Sequence, residues 1–220
     1  WAYEEEFGIY DGFRWSPDSK QIAYWQLDAS GIKYFNMINN TDDIYAKVIP
    51  LEYPKVGEDP SSCKIGVVDV KTAKTKWMDV PGDSKQHYIP RMEWVEAGKI
   101  MLQQLDRKQQ ISKLFYADSK TGAATKIYEE SDPNAWVDVR ITWHEDQPAG
   151  WEWIKGGNEF LWVSEKDGWN HVYKISKDGK NETLVTKGNY DVVDPLGYDQ
   201  EADLLYFTAS PSDSRQLYLY

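Results

Sequence analysis

Three consecutive carboxylates, in the stretch Trp1-Ala2-Tyr3-Glu4-Glu5-Glu6-Phe7-Gly8, are the residues of this sequence best placed to do chemistry. Adjacent like charges repel. Where aromatic neighbours partly exclude solvent, that repulsion favours a bound cation, with about 4 kcal/mol of gross attraction per charge pair at 4 Å and an effective dielectric of 20. Desolvation removes much of that gain. The competing reading, from composition alone, is a solvated acidic turn.

No other group of residues has the spacing of a catalytic or metal site. His87, His144 and His171 are scattered, and none is paired with another ligand at metal-binding distance along the chain, so no metal or cofactor is expected. His144 reads as a loop residue and His171 as a structural residue of a strand. Cys63 is the single cysteine, which rules out an intrachain disulfide and a cysteine-based zinc site. The sequence holds no Gly-x-Ser-x-Gly, the strand-to-helix turn that presents a nucleophilic serine, so no catalytic residue is assigned.

A net charge of -11 argues against a nucleic-acid partner, because phosphate neutralisation by Lys and Arg supplies most of such affinity. A cationic ligand group suits the charge better. No stretch approaches the roughly 18 to 20 apolar residues needed to cross a bilayer. Asn39 and Asn181 each head an Asn-x-Thr tripeptide, a pattern common by chance.

The elements that must position the carboxylates are strands. Aromatic residues make up 15% of 220 residues, too many for a solvated tail, and they recur in a repeating pattern. Each repeat opens with an aromatic-bearing strand, turns through polar or Gly residues and resumes as a mostly apolar strand. The openings are Phe13-Arg14-Trp15, Met92-Glu93-Trp94, Trp151-Glu152-Trp153 and Leu196-Gly197-Tyr198. The resumptions are Gln21 to Leu27, Lys99 to Leu105, Glu159 to Val163 and Leu204 to Phe207. Outer strands follow, with hairpin signals at Thr121-Gly122 and Asp178-Gly179, where Gly accepts the positive φ such turns need.

This pattern predicts an all-β chain, a β-propeller of about four four-stranded blades, with no helix of any length. Trp25, Trp94, Trp153 and Trp162 read as packing between blades. The spacing between successive openings falls from 79 to 59 to 45 residues, so extra material sits in the early intervals. The largest insertion, about residues 29–62, contains Gly31, Pro50, Pro54, Gly57 and Pro60 and reads as an extended, turn-broken excursion. Its Ile32, Tyr34, Phe35, Met37 and Ile38 offer apolar surface that a lone excursion could not bury. Four blades do not close easily into a ring, so residues 1–220 read as one partial propeller domain, the alternative being a complete small four-bladed propeller.

Four blocks carry a resemblance to a known family. The stretch Trp1-x-Tyr3-Glu4-Glu5-Glu6, followed seven positions on by Phe13-Arg14-Trp15-Ser16-Pro17-Asp18, resembles the segment of dipeptidyl peptidase IV and its relatives that holds the substrate's α-ammonium. Pro50-Leu51-Glu52-Tyr53-Pro54-Lys55-Val56-Gly57 is similar to the family's Tyr-Pro-Lys-Ala-Gly block. Ser164 to Tyr173 is similar to its Ser-x-x-x-Gly-x-x-His block, and Thr186 to Val192 to its Thr-Lys-Gly-x-Trp-x-Val. The blocks occur in the family's order.

The resemblance implies an eight-bladed propeller, of which this chain is about half, stacked on a C-terminal α/β-hydrolase domain absent here. It implies a serine-type dipeptidyl or tripeptidyl aminopeptidase, a hydrolase acting in proteolysis, that releases N-terminal di- or tripeptides after Pro or Ala. Glu5 and Glu6 would bind the free N-terminus of peptide substrates, while Glu4 has no ligand role. The 29–62 extension would form a homodimer contact, the other reading being a loop that only caps blade edges. The parent is expected to be exported, with a bacterial lean from the lack of paired cysteines.

Two departures stand against the pattern. Phe7-Gly8-Ile9 replaces a Val-Phe-Ser of the best-known members, which is expected to displace an aromatic contact near the pocket. Arg140 falls one residue early for a family Arg and is not assigned to the site. The alternative function is a non-catalytic propeller serving as a protein-interaction platform.

Overall fold

A computed structural model of the chain describes residues 2–139 and 151–220. Within them the repeats fold as small antiparallel sheets, each strand pairing with the next strand of its own blade. Blade I comprises β1 (Phe13–Trp15), β2 (Gln21–Asp28), β5 (Ser62–Asp69) and β6 (Thr75–Trp77), in that spatial order. Between β2 and β5 a separate two-stranded hairpin, β3 (Tyr34–Asn39) and β4 (Lys47–Glu52), fills most of the insertion. Blade II is β7 (His87–Glu96), β8 (Lys99–Asp106), β9 (Ile111–Asp118) and β10 (Ala124–Ser131). Blade III is β11 (Trp151–Ile154), β12 (Glu159–Ser164), β13 (His171–Ser176) and β14 (Glu182–Leu184). Blade IV has three strands among the described residues, β15 (Val192–Asp199), β16 (Leu204–Ala209) and β17 (Tyr218–Leu219).

The side-chain period of two explains why blades stack. On β8, Ile100 and Leu102 face one way and pack with Ala23, Ile65 and Val67 of blade I, while Met101 faces the other way and packs with Trp151, Phe160 and Trp162 of blade III. A third apolar layer joins Ile154, Leu161 and Val172 to Val192 of blade IV. Central strands buried on both faces read as continuous apolar runs, which is how the sequence presents them.

The tryptophans do join blades. The Trp25 indole donates to the Ile89 carbonyl at 2.8 Å, and Trp94 returns a bond to the Arg14 carbonyl at 3.0 Å. Trp162 donates to Glu130 at 2.7 Å, and Trp153 stacks on Tyr116 with ring centroids 6.5 Å apart. His171 is a buried strand residue whose Nδ1 lies 2.9 Å from Asp167. His144 and Arg140 lie outside the described residues.

The expectation of no helix is corrected at two places. Lys155–Gly157 form a single 3-10 turn, and Ala2–Glu6 form a five-residue π-helical turn. Neither is long enough to show a helical period in the sequence. The π turn carries the three carboxylates; π-helical turns are rare, and those inside α-helices are frequently at functional sites.

Candidate substrate-amine site

The π turn is fixed by its apolar residues. Tyr3 and Phe7 are four apart, so one helical turn puts both on the same face, and both are buried against blade II. Phe7 meets Tyr88 at 5.2 Å between ring centroids, Tyr3 meets Tyr88 at 6.1 Å, and Tyr3 and Phe7 meet each other at 5.9 Å. The Tyr3 hydroxyl accepts the Ile89 amide proton at 3.1 Å. Burial, joined by the neighbouring Cys63 sulfur, holds the Tyr3 phenol well above its usual range, and burial pushes the Cys63 thiol up to about 12. The turn closes with Gly8 donating to the Glu4 carbonyl at 3.1 Å and Ile9 to the Tyr3 carbonyl at 2.9 Å, and Gly8 takes φ 61°.

With Tyr3 and Phe7 turned inward, Glu4, Glu5 and Glu6 are all exposed. Tyr3 and Phe7 therefore do not box the carboxylates; they anchor the turn from its opposite face. Phe7 belongs to the core. Trp1 lies outside the described residues.

Glu5 and Glu6 line a cavity of about 410 Å³, and Glu4 does not. The segment from Tyr53 to Glu58 and Pro60 forms one wall, and Tyr88 and Arg107 of blade II form another. Aromatic surface thus reaches the carboxylates from Tyr53 and Tyr88, distant in sequence. Arg107 and Lys55 supply positive charge on the cavity rim. The Arg107 guanidinium lies over the Tyr88 ring at 5.9 Å. Lys55 lies over Phe35 at 5.5 Å. Glu6 accepts a hydrogen bond from the Gln109 amide at 3.1 Å, from the turn between β8 and β9.

The sequence reading picked out Glu5 and Glu6 and missed Tyr88, Arg107 and Gln109. Nothing local marks those three, since they come from a strand and a turn of another blade. The block Tyr53-Pro54-Lys55-Val56-Gly57 was visible as a motif, but its place beside the carboxylates was not. Among the described residues, no group of three or more His, Cys, Asp or Glu is arranged to hold a metal ion. No helix among them is long and apolar enough to cross a membrane.

Comparison with known proteins agrees along the whole chain. The sequence model of the dipeptidyl peptidase IV (DPP IV) N-terminal region matches residues 1–220. Inactive dipeptidyl peptidase 10 of Mus musculus is 29% identical over 233 residues, covering 99% of this chain and 28% of that protein. Dipeptidyl peptidase 4 of Sus scrofa is 28% identical over 211 residues, covering 88% of this chain and 27% of that protein. The crystal structure of Porphyromonas gingivalis dipeptidyl peptidase 4 superimposes with a TM-score of 0.88 at 28% identity, covering all of this chain and 30% of that one. The chain thus spans under a third of the relatives it matches. These relatives come from mammals and a bacterium alike, and they support no bacterial lean.

Proposed function

Since this chain belongs to the dipeptidyl peptidase IV N-terminal region family, we propose that it is the substrate-gating portion of a serine exopeptidase and that Glu5 and Glu6 receive the free α-ammonium of a peptide. The observation that carries this reading is the pair of carboxylates on one cavity, presented by a turn whose other face is locked in the core. An ammonium has three donors and one charge, and two neighbouring carboxylates satisfy both. Fixing the amine at one depth leaves a set length of peptide between it and the nucleophile, so the anchor acts as a ruler for release of two or three residues. The serine nucleophile, its histidine base and the orienting aspartate belong to a C-terminal α/β-hydrolase domain of the parent chain. The pocket for Pro or Ala belongs to that domain too. The parent is exported.

The hairpin of β3 and β4 is assigned to a homodimer contact. A two-stranded hairpin is marginal alone, and this one exposes Tyr34, Met37, Ile38, Ile44, Tyr45 and Val48. Sedimentation of the parent with Ile38→Glu tests it: a shift to monomer is expected, and an unchanged dimer refutes the assignment.

The experiment on the amine site uses the full-length parent with Glu5→Gln and Glu6→Gln, assayed on Xaa-Pro-p-nitroanilides with free or acetylated amines. A charge-assisted hydrogen bond contributes about 1.5–3 kcal/mol, so each change should lower kcat/KM about tenfold to a hundredfold on the free amine alone. Unchanged efficiency would mean a solvated acidic turn. The reading as an interaction platform would then lead, and it has one observation in its favour, that a relative is named an inactive peptidase.

A further inference from the structure

The turn between β8 and β9 of blade II places Gln109 against Glu6, 103 positions away in sequence. We infer that Gln109 is a positioning residue for the amine site: its side-chain amide holds one oxygen of Glu6, leaving the other oxygen and the Glu5 carboxylate directed to the ligand. The inference rests on the reading of Glu5 and Glu6 as the ammonium anchor.

Both ends of the bond are held by backbone. Glu6 is the last residue of the π turn and is followed at once by the buried Phe7. Gln109 donates its amide to the Asp106 carbonyl at 2.9 Å, and its own carbonyl accepts from Val137 at 2.7 Å. The Asp106 carboxylate accepts the amides of Gln110 and Ile111, each at 2.8 Å, and so fixes the turn. Within it Gln109 adopts φ 54°, a left-handed conformation that glycine accepts at lower cost than any side chain. A glutamine there is locally unfavourable, and its side chain is what a glycine would lack.

The bond acts on chemistry through geometry. An unrestrained glutamate explores several rotamers and must be ordered when the ligand arrives, at a cost in affinity. An amide donor already on one oxygen removes part of that cost. It adds no charge, so it leaves the attraction for the ammonium in place, whereas a Lys or Arg at the same point would compete with the ligand.

The test uses the full-length parent enzyme with Gln109→Gly, Gln109→Met and Gln109→Glu, assayed on free-amine Xaa-Pro-p-nitroanilides across pH, beside Glu6→Gln. Gln109→Gly removes the amide while relieving the backbone, so the thermal midpoint should hold or rise while KM rises about three- to tenfold with kcat little changed. Gln109→Met should raise KM similarly. Gln109→Glu sets a second carboxylate against Glu6 and should move the acid limb of the kcat/KM profile to higher pH, a change that a merely structural role would not produce.

Unchanged KM and acid limb in these variants, with Glu6→Gln still impaired, would overturn the positioning role and leave the anchor standing. A raised KM with a lowered midpoint in all three variants would assign Gln109 to folding and overturn it too. If Glu6→Gln keeps full efficiency, the anchor itself fails and the inference falls with it.

Discussion

Tyr3→Phe removes the hydroxyl that ties the acidic turn to the Ile89 amide of blade II and that also meets the Cys63 thiol of blade I. Tyr3 is 5% exposed and Ile89, whose amide its hydroxyl satisfies at 3.1 Å, is 0% exposed. Phenylalanine keeps the ring between Phe7 and Tyr88, so packing is nearly unchanged and the loss is confined to the hydroxyl. The Ile89 N–H is then buried without a partner, at a cost of about 1–3 kcal/mol. At 1.4 kcal/mol per factor of ten, local opening should become about five- to a hundredfold more frequent.

Hydrogen exchange followed by mass spectrometry on the full-length parent reads this directly. Peptides spanning residues 86–92 should lose protection by that factor while those from blade III keep theirs. Since the ring still anchors the turn, KM for free-amine substrates should change little. Protection at Ile89 unchanged within twofold would refute the argument. It would mean that the amide finds another acceptor or that the bond contributes nothing to holding the turn.

Two further outcomes follow from the packing. Gly179 sits at φ 73° in the β13–β14 hairpin, where a Cβ would run into the Ile127 carbonyl of blade II. Gly179→Ala should therefore cost about 2–4 kcal/mol and lower the parent's thermal midpoint, whereas Gly12→Ala, with open space around it, should not. His87 is buried with Nδ1 3.1 Å from the Gln104 amide, and burial lowers its pKa below 6.5, partly opposed by Asp83. The unfolded chain then binds more protons than the folded one in that window. His87 thus contributes stability present above pH 6.5 and lost as pH falls toward the folded value. Thermal midpoints measured against pH should flatten over that range in His87→Gln; an unaltered slope would refute the assignment.

The parts of the fold legible in the sequence are those set by short-range physics. Asp178-Gly179 and Thr121-Gly122 mark hairpins because the turn needs a positive φ, and both glycines have it, at 73° and 85°. The tryptophans were legible as blade contacts because large amphipathic rings in period-two strands must face a neighbouring sheet. The π turn was not legible. Its signal is two aromatics four apart, Tyr3 and Phe7, and between them lie three glutamates that carry no helical period. The hairpin of β3 and β4 was visible only as an excursion, because Pro50 lies inside β4, where a two-stranded sheet tolerates it opposite Asn36.

The site shows the same division with a sharper consequence. Residues adjacent in sequence, Glu5 and Glu6, declared themselves, whereas the groups that give them a cavity come from three separate stretches. Tyr88 and Arg107 belong to blade II, and Tyr53 to Pro60 belong to the segment leading out of the hairpin. That segment is itself pinned: Tyr53 donates to the Lys33 carbonyl at 3.2 Å, Lys33 pairs with Glu58 at 2.7 Å, and Gln86 donates to Asp59 at 3.3 Å. The hairpin base, the cavity wall and the start of blade II are therefore connected through short polar contacts. The wall that faces the carboxylates is thus continuous, through these bonds, with the base of the hairpin.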